Sequence, residues 1–481
     1  MDILVIDVGT TRVKVAVVTE NGEIVDFESE FIEKENNPTE QNPKKWLDSV
    51  SKLTKKMVDR KKIDVVSVTG NMHALLPIDK NGEPLINAWL WNDIRSQKSS
   101  EWLKENYAKE ISRRFFNPPI PGFPLSKLIQ FREEYPGEYK KTCKLLQPKD
   151  FVVYKLTGKL ATDVTDASGT LLFNMKNKEW DTEFMKELNI SLEVLPGIYE
   201  SQQIVGYVSE EGRELTNIKK GTPIVAGAGD LITASLGNAV NSETFVLVYG
   251  TAGQLLTTDS RLVESLSGRI FAFEYVNEEE YLYLGTVPAG GYSLDWFSEL
   301  TKLSKEEIIS KAERANDKSS LTYMPFTQGT GTPHMDYRSM GGFNGIDSND
   351  NLNEYSRAVI EGPIFSLKES HEVMTKKLGS RKKLVEQSLA AKIPLIKKAV
   401  ENLFDEEIYI PETKESSIIG GAILGAVGIS KYKDISQAQR QMIKLNKIKK
   451  MEGGDKNVEI KERFSFYQNI TGKLFSKKEV F

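Results

Sequence analysis

The stretch Asp7-Val8-Gly9-Thr10-Thr11 ends one apolar run, "ILVID", and leads straight into another, "RVKVAVV". A plain hairpin bend needs neither a carboxylate at the end of a buried strand nor two adjacent hydroxyls. Gly9 lets backbone N–H groups approach an anion closely, and Thr10 and Thr11 add hydroxyl donors at the same point. Asp7 would repel that anion unless a divalent cation lies between them, which makes it a candidate Mg2+ partner acting through water. Lys14 adds positive charge for phosphates. Taken alone, the motif reads equally well as a tight β-turn with a surface aspartate.

A second Gly-Thr turn, Gly250-Thr251 in "TFVLVYGTAGQLLTT", repeats the pattern half a chain later. Two lobes that grip one polyphosphate from opposite sides need such a pair. Between the turns lies Asp230 in "GAGDLITASLG". It could take a proton from a substrate hydroxyl as that oxygen attacks phosphorus, or it could simply cap a helix. Together the three elements favour phosphoryl transfer. The stretches "NMHA" and "WNDIR" supply Met72, His73, Trp91, Asn92, Asp93 and Arg95. Hydrogen-bonding groups beside an aromatic or thioether wall are what a polyol site requires. Singly, His73 reads as a structural histidine and Trp91 as core packing. Their clustering is what makes them candidates.

The elements that must position these residues follow from periodicity. "DILVID", "RVKVAVVT" and "EIVDFESEF" read as strands, the last two joined at Asn21-Gly22, a strong hairpin signal. A helix is expected from Pro43, with Trp46, Val50, Leu53 and Met57 on one stripe, followed by the buried strand "DVVSVTG". The second half repeats this grammar, with helices expected over 351–378 and 384–404, a strand "EEIYIP" and a small-residue helix "SSIIGGAILGAVG". Two similar α/β domains, 1–237 and 238–481, would flank a catalytic cleft, with "VAGAGDLITASLGNAV" as the hinge.

Composition fits this reading. A chain of 481 residues is too long for one core, and 39% hydrophobic with 27% charged residues is ordinary for a soluble globular protein. A net charge of −4 gives no reason to expect nucleic acid or an anionic membrane as partner. Cys143 is the single cysteine, so no intrachain disulfide forms. No signal peptide or membrane span is read, and a cytoplasmic location is expected. A homodimer is left open.

"DVGTTRVK", "GNMHALLPIDKNGEPLINAWLWNDIRS", "LLQPKDFVVYKLTGKLATDVTDASGTLLFN", "GAGD" and "YGTAGQ" resemble the FGGY carbohydrate kinases, most of all their xylulokinase branch. The resemblance runs in order from residue 2 to about 428. It implies the actin-like (ribonuclease H-like) fold and phosphorylation of a sugar or polyol with ATP and Mg2+. It implies that Asp7 organises Mg2+, that Gly9, Thr10 and Thr11 hold donor phosphates, and that Asp230 is the catalytic base. Gly250 and Thr251 would form the second phosphate loop. Gly420 and Gly421, in the surviving small-residue element, would belong to the nucleotide site. The sugar site would come from "NMHA" and "WNDIR".

Three departures stand out. Xylulokinase-like sequences usually carry Gln-Met-His-Gly, where this chain has Asn71 and Ala74 around Met72-His73. The usual Gly-Glu-Arg-Thr-Pro appears as "GTGTPH", with Thr330 and Gly331 in place of the charged pair. The glycine-rich turn on which the family's adenine lies is replaced by "VEQSLAAKIP", with no glycine from Ser380 to Ile419. Side chains of Glu386, Gln387 and Leu389 would then occupy a purine's place. Three readings follow: ATP held by other contacts, a base-free donor such as pyrophosphate with Arg381, Lys382 and Lys383 supplying charge, or a sugar-binding regulator with little turnover. The last leaves the joint presence of Asp7, Thr10, Asp230 and Thr251 unexplained. An actin-like ATPase leaves "NMHA" and "WNDIR" unexplained.

Overall fold

The structure is a computed structural model that describes residues 1–58, 62–277, 279–388, 393–448 and 458–476. The opening apolar run forms β1 (Asp2–Val8), and β2 (Arg12–Thr19) and β3 (Ile24–Phe31) add to it antiparallel. Gly22 at φ +82 makes the second bend, where a Cβ would fall 2.2 Å from the Met442 carbonyl oxygen. Helix α1 (Pro43–Val58) lays Trp46, Val50, Leu53 and Met57 into the core. It returns the chain to β4 (Val65–Gly70), buried along its whole length and parallel to β1. Helices α2 (Pro124–Glu134) and α3 (Pro148–Thr157) follow. Strands β5 (Ile204–Tyr207) and β6 (Pro223–Val225) complete the order β5-β6-β4-β1-β2-β3, before α4 (Asp230–Gly237).

The second unit repeats this plan. Strands β7 (Thr244–Tyr249) and β8 (Gly253–Asp259) form an antiparallel hairpin, and β9 (Phe271–Glu274) and β10 (Tyr281–Val287) extend the sheet beyond it. After the long helix α5 (Leu352–Leu378), β11 (Lys383–Ser388) runs parallel to β7. Helix α6 (Pro394–Leu403) then leads to β12 (Glu407–Pro411), parallel to β11. The edge strand β13 (Leu445–Lys447) closes the order β9-β10-β8-β7-β11-β12-β13.

The single helix expected over 384–404 is therefore a strand and a shorter helix. "LVEQS" is too short and too flatly patterned to separate helix from strand, and its position between β7 and β12 decides the matter. The compact units are also discontinuous in sequence. One comprises Met1–Ala239, Phe273–Tyr281 and Glu415–Lys444, the other Val240–Ala272, Leu282–Lys414 and Leu445–Phe481. The division expected at 237/238 assigned 415–444 to the second domain. Helix α7 (Ser416–Gly428) instead packs into the first. The expected hinge over 225–240 holds α4 and lies within the first unit as far as Ala239.

Candidate active site

Register explains how distant residues meet. In the first sheet Val8 pairs with Gly70 across β1 and β4, and Gly70 pairs with Gly229 on the short strand Ala228–Gly229. Three strands thus end level, so the residues that follow them, Gly9, Asn71 and Asp230, leave the sheet side by side. Carboxyl ends of parallel strands are where open α/β sheets bind ligands. Asn71 ties two of these ends together, its Nδ2 donating to the Val8 carbonyl at 3.1 Å.

Asp7 is buried, 4% exposed. Its Oδ2 accepts a hydrogen bond from Ser417 Oγ at 2.8 Å, while Oδ1 has no hydrogen-bond partner. Lys14, opposite it on β2, lies 3.8 Å from Asp7 Oδ2 and 2.9 Å from Glu415 Oε2. Desolvation raises the Asp7 pKa despite the opposing pull of Lys14 and Ser417. Burial alone would lower that of Lys14, but Asp7 and Glu415 outweigh it and raise it. Asp230 opens α4, and its Oδ1 accepts from the N–H of Leu231 at 2.7 Å. Desolvation first and the charge of Asp7 second push its pKa up to about 7. At the turn, Gly9 N–H donates to the Arg12 carbonyl at 3.0 Å, and the Thr10 carbonyl accepts from Gln41 Nε2 at 2.5 Å. Thr11 is exposed.

Ser417, which sequence reading missed, explains what Gly420 and Gly421 do in this fold. A Cβ on Gly420 would fall 1.9 Å from the Thr233 carbonyl oxygen of α4, and one on Gly421 would fall 2.6 Å from Val5 Cγ1 of β1. The two glycines let α7 sit down on α4 and β1, which delivers Ser417 to Asp7 across 410 residues of sequence. Both glycines are buried, and this close packing gives each a steric reason of its own.

The sugar candidates lie around the same sheet edge. Met72 is buried against Gly229, where a Cβ would fall 2.2 Å from Met72 Cγ. His73 adopts φ +62, in the left-handed region, with its ring against Phe123 and Phe273 at centroid distances of 4.9 and 5.5 Å. Its Nδ1 lies 2.9 Å from the Gly169 carbonyl oxygen. A carbonyl only accepts, so Nδ1 carries the hydrogen and Nε2 presents a lone pair. Burial lowers the His73 pKa to about 4, so the ring is neutral at physiological pH. Trp91 is 50% exposed, its Nε1–H donating to Thr10 Oγ1 at 3.1 Å, and Asn92 is exposed beside it.

Asp93 and Arg95 are engaged with the protein itself. Asp93 accepts from Thr39 at 2.7 Å and pairs with Arg95 at 2.8 Å. Arg95 also reaches Glu40 at 2.6 Å and lies over the Trp89 ring. Burial would raise the Asp93 carboxyl, but Arg95 and Thr39 hold it below its usual value. The pair therefore braces the segment that presents Trp91 and Asn92.

Behind Met72 and Gly229 is a fully buried charge cluster that sequence reading quoted in "LLQPKDFVVYKLTGKLATDVTDASG" but did not assign. Lys149 Nζ lies 2.6 Å from Asp150, 2.9 Å from Asp163 and 3.3 Å from Asp166. Burial alone would lower the Lys149 pKa, and the three carboxylates instead raise it well above its usual value. Asp163 also accepts from Thr165 and Ser201, leaving Asp166 as the carboxyl that burial pushes up most. The Thr165 hydroxyl takes the Gly229 N–H at 3.4 Å, linking this cluster to the residue before Asp230.

In the second unit, the Gly250 carbonyl accepts from Gly291 N–H at 2.8 Å and the Thr251 carbonyl from Tyr292 N–H at 3.1 Å. Thr251 itself is exposed. Gly331 has its own steric reason, since a Cβ there would fall 2.2 Å from the Thr286 carbonyl oxygen. Glu386 is buried on β11, and Gln387 Nε2 donates to the Lys414 carbonyl at 3.3 Å. Leu389 lies outside the described residues. Arg381, one of the candidate phosphate cations, bonds to Thr257, Thr258 and Asp259, and Lys382 pairs with Glu243 at 2.8 Å. Among the described residues no helix is long and apolar enough to cross a membrane, and no group of three His, Cys, Asp or Glu side chains is placed to hold a metal ion.

Family models for the N-terminal and C-terminal domains of the FGGY carbohydrate kinases match residues 2–237 and 245–429. A xylulose kinase of Bacillus subtilis (strain 168) is 29% identical over 451 residues, 91% of this chain and 90% of that one. A gluconokinase of the same strain is 27% identical over 448 residues, 89% and 87% of the two chains. The solved structure of a ligand-bound xylulose kinase from Lactobacillus acidophilus superposes with a TM-score of 0.92 at 25% identity, over 99% of both chains. With two sheets of one topology, an aspartate at the end of the first strand and matches across nearly its whole length, the chain belongs to the FGGY family of carbohydrate kinases and is a sugar kinase with the actin-like (ribonuclease H-like) fold.

Proposed function

We infer that this kinase transfers the terminal phosphoryl group of ATP to a hydroxyl of a ketose or polyol, with a xylulose-like sugar as acceptor. The observation that carries this reading is Asp230, a carboxyl with a pKa of about 7 at the same sheet end as His73 and Met72, close enough to Asp7 to feel its charge. The acceptor O–H gives its proton to the Asp230 carboxylate. The oxygen then forms its bond to the terminal phosphorus as the bridging P–O bond breaks, and ADP leaves. Catalysis is mostly positioning and charge neutralisation, since phosphoryl transfer leaves the protein little covalent work.

Asp7 fits a Mg2+ partner. One carboxylate oxygen is fixed by Ser417, and the other is buried without a hydrogen bond. Mg2+ keeps several waters and takes one or two protein carboxylates beside the substrate phosphates. When bound, it would offset the charge that gathers on the transferred group. Lys14, Gly9, Thr10 and Thr11 would serve the donor phosphates in the first unit, and Gly250 and Thr251 in the second. His73 Nε2, a lone-pair acceptor, suits a sugar hydroxyl, with Trp91 as the apolar wall. The engagement of Arg381 and Lys382 within the protein supports ATP over a base-free donor. Lys149 and Arg95 are likewise paired with carboxylates within the first unit and Lys127 is held by backbone carbonyls, which supports a neutral sugar over an aldonate.

The test is a matrix of ketoses, polyols and gluconate against ATP, GTP and pyrophosphate with Mg2+, reading sugar phosphate directly. D-Xylulose with ATP should give the highest kcat/KM. Turnover on gluconate alone would overturn the acceptor, and turnover on pyrophosphate alone would overturn the donor.

A further inference from the structure

Lys127 on α2 has no exposed surface, and among the described residues no carboxylate lies within ion-pair distance of it. Its Nζ donates instead to backbone carbonyls: His73 at 2.7 Å, Leu90 at 2.5 Å and Trp89 at 3.5 Å. These acceptors come from two separate segments, the end of β4 with Met72 and His73, and the strand end that precedes Trp91. Burying an ammonium without a counter-ion is costly, and a methionine would fill similar volume without that cost. Burial lowers the Lys127 pKa to about 7, with Asp93 opposing the shift and Arg95 adding to it. His73 has its own cost to bear, an L side chain in the left-handed region at φ +62, and such backbone persists only where the surroundings hold it. Its carbonyl is held by Lys127 and its ring by the Gly169 carbonyl.

We propose that Lys127 is a positioning residue for the acceptor sugar: its ammonium clamps the His73 and Leu90 carbonyls together and so fixes the His73 imidazole and the Trp91 indole in binding geometry. The proposal rests on reading His73 and Trp91 as sugar ligands. Among the described residues neither Asp230 nor Asp7 nor Lys14 bonds to Lys127, and the Trp91 Nε1–Thr10 Oγ1 bond alone links the clamp to the donor turn. Acceptor binding should therefore suffer far more than donor binding or chemistry.

The experiment compares Lys127→Met, His73→Ala and the double variant with D-xylulose and Mg-ATP. Lys127→Met should raise the D-xylulose KM about tenfold or more, the scale of one lost charged hydrogen bond. At saturating sugar kcat should stay within about threefold, and the ATP KM within about twofold. On the His73→Ala background the same change should add less than it does alone, because part of its effect passes through His73 and the rest through Trp91. A D-xylulose KM within twofold of wild type, a parallel rise in both KM values, or full additivity would overturn the clamp. Should Lys127→Met fail to fold, Lys127→Leu, which also has no donor, takes its place with the same outcomes. A ligand-free arm separates this proposal from the substrate assignment. The chain has three histidines, so 15N-histidine NMR can follow His73 alone. Wild type should show a single Nδ1–H tautomer, and the Lys127 variant an averaged one. An unchanged His73 signal would refute the clamp. Wild type that turns over no D-xylulose refutes the acceptor assignment and leaves this arm in force.

Discussion

The two sheets share a strand plan, but their first turns carry different chemistry. In each, a hairpin leads into a parallel neighbour, β4 beside β1 and β11 beside β7. The first turn reads Asp-Val-Gly-Thr and the second Val-Tyr-Gly-Thr. Where the first has a buried carboxylate held by Ser417 and flanked by Lys14, the second has Val248 and offers backbone and a threonine hydroxyl. Repetition of a scaffold therefore does not repeat its charge. The proposed base, the proposed metal partner and the sugar candidates belong to the first unit, and the second would add neutral donors.

The sharpest way to break that asymmetry is at Asp230. Asp230→Asn keeps shape but cannot accept a proton, and losing a general base costs ~10²–10⁴-fold in kcat. Sugar binding by calorimetry should persist. A variant within a few-fold of wild type would take Asp230 out of the mechanism. With a pKa of about 7, the wild-type kcat/KM should fall tenfold per pH unit below that value and level off above it. The same shift predicts stability. A carboxyl whose folded pKa lies above its ordinary 3.8 binds more protons folded than unfolded, so stability falls as pH rises from about 4 to about 7. Thermal melts of Asp230→Asn should lose that part of the slope.

Asp7→Asn comes next. Loss of one preorganised electrostatic contact is worth on the order of 10²–10³-fold in kcat. Because Asp7 is the second cause of the raised Asp230 value, the inflexion in the residual kcat/KM profile should move to lower pH. If Asp7→Asn left rate, Mg2+ dependence and inflexion unchanged, the first turn would be no more charged in function than the second.

Parts of this arrangement were legible and parts were not. The three opening strands and their Asn21-Gly22 bend are visible because alternation and turn chemistry are local. Asp7 and Asp230 were singled out only in combination with the repeated Gly-Thr turns, since a turn aspartate and a helix cap would account for each alone. Ser417 was not, since nothing in "KESSIIGG" announces a partner 410 residues away. Lys127 was hidden for a different reason: a lysine in "PLSKLIQF" reads as a solvated helix face until α2 is seen to bury it against carbonyls. The segment "LVEQS" was misread because helix and strand share its short pattern, and only its neighbours β7 and β12 decide.

The second turn should respond far less than the first. Thr251→Val removes one hydroxyl and leaves the backbone of the turn, whose carbonyls at Gly250 and Thr251 are held by Gly291 and Tyr292. The ATP KM should rise about two- to tenfold, the range for one ordinary hydrogen bond, with sugar KM unchanged. A thousandfold loss in kcat would mean that this turn carries transition-state charge after all.

The smallest effect is expected at the basic run beside β11. Arg381 bonds to Thr257, Thr258 and Asp259 and secures the end of the sheet. Lys382 is exposed and faces Glu243 in a surface pair, an interaction that commonly contributes nothing measurable. Arg381 is committed to the sheet, and among the described residues Lys382 lies in an exposed surface pair with no further partner in the site. Lys382→Ala should therefore leave the ATP KM within about twofold and confer no turnover on pyrophosphate. Steady-state kinetics with both donors checks this directly. A tenfold rise in the KM of either donor would place a phosphate-binding cation in the second unit. The contrast between a charged first unit and a neutral second one would then have to be given up, because donor recognition would depend on a lysine that the Glu243 pair only masks.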